Sequence, residues 1–127
     1  MLVTHAAWVL VVAFTFSLAY ESWRATKKAG TSRHDSLESL RSGLAFYAVA
    51  AAVIAVLFVG PAWAAWVGLL FCAACLVYGI FVFNPVVMLE RQPGIIDCVE
   101  DLVYVGLLFV AATLLLYDVL GWTLQRV

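Results

Sequence analysis

Charged side chains are absent from long stretches of this chain and crowded into short ones. Residues 3–20 contain no acid or base except His5, and residues 42–89 and 102–117 contain none. A helix needs roughly 20 apolar residues to cross a bilayer core of about 30 Å, so the middle stretch has room for two spans and each of the others for one. Gly60-Pro61 divides the middle stretch, and proline is best tolerated in the first turn of a helix. The pattern predicts helices over 3–20, 43–59, 61–83 and 98–120, a loop at 21–42 and a connector at 84–97.

Asn84-Pro85 and Pro93-Gly94 bound the connector as helix breakers. Asp97-Cys98-Val99-Glu100 has capping-box spacing and is expected to start the last helix. Its uncharged part, 102–117, is about 24 Å long at about 1.5 Å per residue, so it spans fully only if Asp118 reaches the far interface. Asp35-Ser36-Leu37-Glu38 repeats the capping spacing and predicts a short surface helix leading into the second span. The expected fold is a single all-α membrane domain with three to four transmembrane helices and a central helical hairpin.

Composition agrees: 66% of residues are apolar, 12% are charged and the mean hydropathy is +1.06, far outside the range of water-soluble domains. With a net charge of −1 and only seven basic residues, there is no nucleic-acid stripe. Five of the seven basic residues, Arg24, Lys27, Lys28, Arg33 and Arg41, fall in or beside the first loop. Short loops rich in Lys and Arg stay on the cytoplasmic or matrix side, which puts the 84–97 connector on the same side. A cleaved leader is not expected, because no Lys or Arg precedes the first apolar run and Tyr-Glu-Ser-Trp follows it where a small-residue cleavage site would stand.

The first of these charged stretches also carries a likeness. Tyr20-Glu21-Ser22-Trp23-Arg24-Ala25 after Ala19 resembles the signature of the receptor-expression-enhancing (REEP/Yop) family, which includes the deleted-in-polyposis proteins. Tyr78, Pro85, Glu90 and Asp97 follow in the order of that family's later motif. The resemblance implies a hairpin protein that shapes tubular endoplasmic reticulum. In that family a surface-lying amphipathic helix completes the unit, whereas 102–117 is apolar on nearly all sides here. The alternative expectation is therefore an accessory subunit of a multi-subunit mitochondrial inner-membrane complex, either respiratory or ATP synthase.

Sites of chemistry are few. Cys72 and Cys75 have C-x-x-C spacing, but they lie at membrane depth with no base nearby to activate a thiol, so helix packing is the expected role. Cys98 stands alone in the connector. His5 and His34 fall on opposite faces, and a haem held in the bundle normally needs an axial ligand at depth. Glu90, Asp97, Glu100 and Asp101 are expected to form a solvated acidic patch, leaving the spans without ionisable groups for transport. Small residues four apart, Ala48/Ala52, Ala51/Ala55 and Ala64/Gly68, predict close helix approach. The expectation is a non-catalytic structural protein with no metal or cofactor beyond bound lipid. Its partners would be membrane lipids, other membrane proteins or copies of itself.

Overall fold

The computed structural model describes residues 2–27, 30, 36–90 and 94–121. All of its regular elements are helical: α1 (Leu2–Lys27), α2 (Leu37–Val59), α3 (Ala64–Tyr78), which runs directly into a π-wound stretch (Gly79–Met88), and α4 (Ile95–Val119). Each of the four helices is long and apolar enough to cross a membrane, with the third counted as Ala64–Val87. The chain is an integral membrane protein of the all-α class.

Several boundaries differ from the sequence expectation, each for a local reason. The first helix does not end at residue 20 but continues to Lys27, because the face buried at Ala6, Leu10, Ala13 and Ser17 continues through Tyr20 and Arg24. The second begins at Leu37 rather than 43. Ser36 caps it, its hydroxyl accepting from the Ser39 N–H at 3.1 Å, so the expected surface helix is the first turns of the span itself. Residues 21–42 are thus helical at both ends; 28, 29 and 31–35 lie outside the described residues.

The third helix starts at Ala64, not at Pro61. Gly60 ends α2 in the left-handed conformation at φ 78°, its N–H bonded to Val56 O. A turn closed by Ala64 N–H on Pro61 O at 2.9 Å then comes first. Asn84-Pro85 does not break the helix. Pro85 lies within the π-wound stretch, where the wider turn accommodates a ring that would clash with the carbonyl four residues back in an α-helix. The Leu89 N–H bonds to Asn84 O, five residues back. The fourth helix starts at Ile95, two residues before Asp97. Gly94 is its N-cap, and the Gly94 N–H donates to Asp97 Oδ2 at 2.8 Å, so Asp97 occupies the third helical position and answers the cap from inside. Pro93 lies outside the described residues. From Ile95 to Val119 the helix is about 37 Å long, enough for a full span.

The helices run up and down in sequence order. One end, here the hairpin end, carries Gly60 and the start of α1. The other, the loop end, carries Lys27, Ser36 and Gly94. In space α1 packs most extensively on α4, then on α2, while α3 packs on α4; α2 and α3, neighbours in the hairpin, touch each other much less. Buried positions on α1 (Ala6, Leu10, Ala13, Ser17, Tyr20, Arg24) alternate steps of four and three, the seam spacing of paired helices. On α4, Asp97, Glu100, Leu108, Ala111 and Leu115 form the facing stripe.

Candidate functional site: a buried ionic cluster beside an intramembrane cavity

Packing changes character along the bundle. Towards the hairpin end it is tight and built from small side chains: Ala6, Ala7, Ala64, Ala65 and Ala111 are all buried. A Cβ placed on Gly68 would lie 2.9 Å from both Leu115 Cδ1 and Leu57 Cδ2. That glycine lets α2, α3 and α4 meet. Of the predicted small-residue pairs, Ala64/Gly68 therefore packs inside the bundle. Ala48, Ala51, Ala52 and Ala55 do not. They are exposed, because α2 turns Ala50, Val53 and Leu57 inward instead.

Towards the loop end the bundle is propped open by aromatic rings. Phe14 of α1 lies 5.7 Å from Phe46, 5.7 Å from Phe71 and 5.6 Å from Tyr104 between ring centres. Below this layer, between α2 and the π-wound half of the third span, opens a cavity of about 520 Å³ backed by α1 and α4. Its walls are mainly aromatic and aliphatic. Polar groups enter at the loop end from all four spans, among them Glu21, Ser39, Asn84, Glu100 and Asp101. Ser17 and Tyr47 share a hydrogen bond of 2.8 Å across α1 and α2.

Behind the cavity lies the ionic cluster. Asp97 Oδ1 accepts from the Tyr20 hydroxyl and, at 3.2 Å, from Arg24 Nη1, while Oδ2 accepts the Gly94 N–H. The Arg24 and Asp97 side chains are only 4% and 7% exposed. An ionised pair so far from water is tolerated when the remaining lone pairs are also satisfied, and the tyrosine and the cap supply that for Asp97. Trp23 covers the neighbouring surface, its ring 6.1 Å from that of Tyr20. The expected solvated acidic patch is therefore corrected. Asp97 and Glu100 are buried and Asp101 is half-buried, because the early start of α4 places them on its inward face. Ionisable groups do face the bundle interior.

Residues carrying the REEP/Yop resemblance separate into two groups. Tyr20, Arg24 and Asp97 converge, with Ala25 buried beside them and Ser22 and Trp23 half-buried; Tyr78, Pro85 and Glu90 lie on the surface. Cys72 and Cys75 are buried free thiols within the core, and Cys98 is an exposed free thiol. His5 is exposed near the hairpin end, and His34 lies outside the described residues. Among the described residues no group of His, Cys, Asp and Glu is arranged to hold a metal ion.

Asn84 is the site residue that sequence reasoning missed, having been taken only as part of a helix break. Its Nδ2 donates to Asp101 Oδ2 at 3.3 Å, while its Oδ1 is buried with no hydrogen-bond partner among the described residues. Because a carboxylate only accepts, the amide must present its NH2 to Asp101, which leaves the carbonyl oxygen stranded. An unmet buried acceptor costs about 1–3 kcal/mol. Comparison with known protein families, characterised proteins and solved structures found no match.

Proposed function

We propose that this chain is a structural, non-catalytic membrane protein that acts as a tapered insert in the bilayer. The observation that carries this reading is the change in packing along the bundle. At the hairpin end Gly68 brings three helices into direct contact, whereas at the loop end α2 and the third span stand apart around the cavity. A body broader in one leaflet than in the other spreads the lipids of the broader side, and the membrane bends towards that side. The positive-inside pattern places the broad end in the cytoplasmic leaflet.

Membrane shaping is also the role implied by the REEP/Yop resemblance, with the endoplasmic reticulum as location, and the convergence of Tyr20, Arg24 and Asp97 in one buried cluster supports it. The shaping element differs from that family's surface helix. Here α4 is long enough to cross, so the bend comes from the taper of the bundle.

A second reading, an accessory subunit of a mitochondrial inner-membrane complex, is favoured by the outward-facing Ala48, Ala51, Ala52 and Ala55, a surface on which a foreign helix can pack closely. Reconstitution separates the two. The purified chain in liposomes of neutral lipid is expected to draw out tubules or small, highly curved vesicles as its density rises, seen by electron microscopy. Vesicles that stay round and unchanged at every density, with stable co-purification of other membrane proteins in mild detergent, would transfer the protein to the subunit class.

A further inference from the structure

The cavity has a chemical bias that a tapered insert does not require. Its walls carry the rings of Phe46, Tyr47, Phe71 and Tyr104, with Phe46 and Phe71 stacked at 6.2 Å. Three carboxylates, Glu21, Glu100 and Asp101, reach its lining, and among the described lining residues there is no Lys, Arg or His. The nearest buried base, Arg24, is balanced by Asp97. Beside Asp101, the Asn84 carbonyl oxygen is an acceptor with no donor among the described residues. Aromatic faces and carboxylates both attract cations in a low-dielectric site and repel anions. The unmet acceptor adds a requirement for an N–H or O–H group.

We propose that the cavity binds a lipophilic ammonium, an amine carried on an apolar chain, which enters sideways from the bilayer between α2 and the third span. The apolar chain lies against the rings. The ammonium sits at the loop end, donating to Asn84 Oδ1 and balanced by Asp101. Anionic amphiphiles of the same length are disfavoured by that carboxylate, and neutral ones gain only the chain contacts and a single hydrogen bond. This inference does not depend on the membrane-shaping role.

Head-group selectivity tests it. The full chain in neutral detergent is titrated with dodecylamine, dodecanol or dodecanoate, and bound adducts are counted by native mass spectrometry. Dodecylamine is expected to saturate at one per chain, about tenfold more tightly than dodecanol, with dodecanoate weaker again. Asp101→Asn keeps a partner for Asn84 but removes charge, and should bring the amine down towards the alcohol without moving the alcohol. Ala74→Phe fills the cavity from a position already exposed, and should abolish binding of all three. Equal binding of the three head groups, or amine binding indifferent to both substitutions, overturns the proposal. Should either variant fail to fold, the wild-type ranking alone decides.

Discussion

Asp97→Asn probes whether the ionic cluster holds α1 on α4, because it keeps the shape of the side chain and removes its charge. In the native protein both carboxylate oxygens are in use: Oδ1 by the Tyr20 hydroxyl and Arg24 Nη1, Oδ2 by the Gly94 N–H. An amide accepts through one oxygen only. With its NH2 turned to Gly94, donor faces donor and the start of α4 loses its cap. Turned the other way, the NH2 faces a guanidinium. In either orientation Arg24, 4% exposed, loses the carboxylate opposite it. Removing one partner of a buried pair costs about 3–5 kcal/mol, whereas an exposed pair is worth at most about 1 kcal/mol. Reversible unfolding in mixed micelles, followed by helical circular dichroism, measures the difference. Arg24→Met added to Asp97→Asn should cost less than it does alone, with a coupling of about 1–3 kcal/mol. A loss below about 1 kcal/mol for Asp97→Asn, or additivity within about 0.5 kcal/mol, refutes the latch.

Two further outcomes bear on the packing and the topology. Gly68→Ala should destabilise by about 1–3 kcal/mol through overpacking against Leu57 and Leu115. Gly106→Ala, whose new methyl meets nothing within 4 Å, should be neutral or stabilising by about 0.5–1 kcal/mol; the reverse order in the same unfolding assay contradicts the tight hairpin end. Single cysteines at Lys27 and Glu90, both exposed, should react with an impermeant thiol reagent from one side of the membrane and a cysteine at Gly60 from the other, in a background lacking the native thiols. Labelling of Lys27 and Glu90 positions from opposite sides overturns the four-span arrangement.

The four apolar spans could be read from the sequence because bilayer thickness imposes a length that composition reveals directly. Side-chain direction was harder. Ala48/Ala52 and Ala64/Gly68 look alike as text, yet one pair faces out and the other in. Which face of α2 turns inward is decided by Ala50, Val53 and Leu57 meeting partners on other helices. The start of α4 was ambiguous for a different reason: Gly94 to Asp97 and Asp97 to Glu100 share the same spacing, and glycine offers no side chain to mark a cap. The ionic cluster joins residues 73 positions apart, beyond the reach of any local pattern. One signal did exist. The four-three stripe of α1 runs through Ser17 and Tyr20 and continues past the apolar run to Arg24, and a stripe that keeps its phase while becoming polar marks groups turned towards a partner helix.

The two ends of the bundle are held by different forces, and that difference accounts for the taper. Within a bilayer, apolar helices gain little from burying surface against one another, since lipid tails are as apolar as leucine. Adhesion must come from close fit or from directional polar contacts. At the hairpin end it is close fit, and Gly68 with its alanine neighbours requires the backbones to approach. At the loop end it is directional: Asp97 fixes α4 to α1 through Tyr20 and Arg24, and Ser17 ties α1 to Tyr47 of α2. Those bonds run between α1 and its two neighbours, while Asn84 and Asp101 join α4 to the third span. With α1 and α4 joined as a spine and each flanking helix tied to it, α2 and the third span diverge towards the loop end, and the space between them is the cavity.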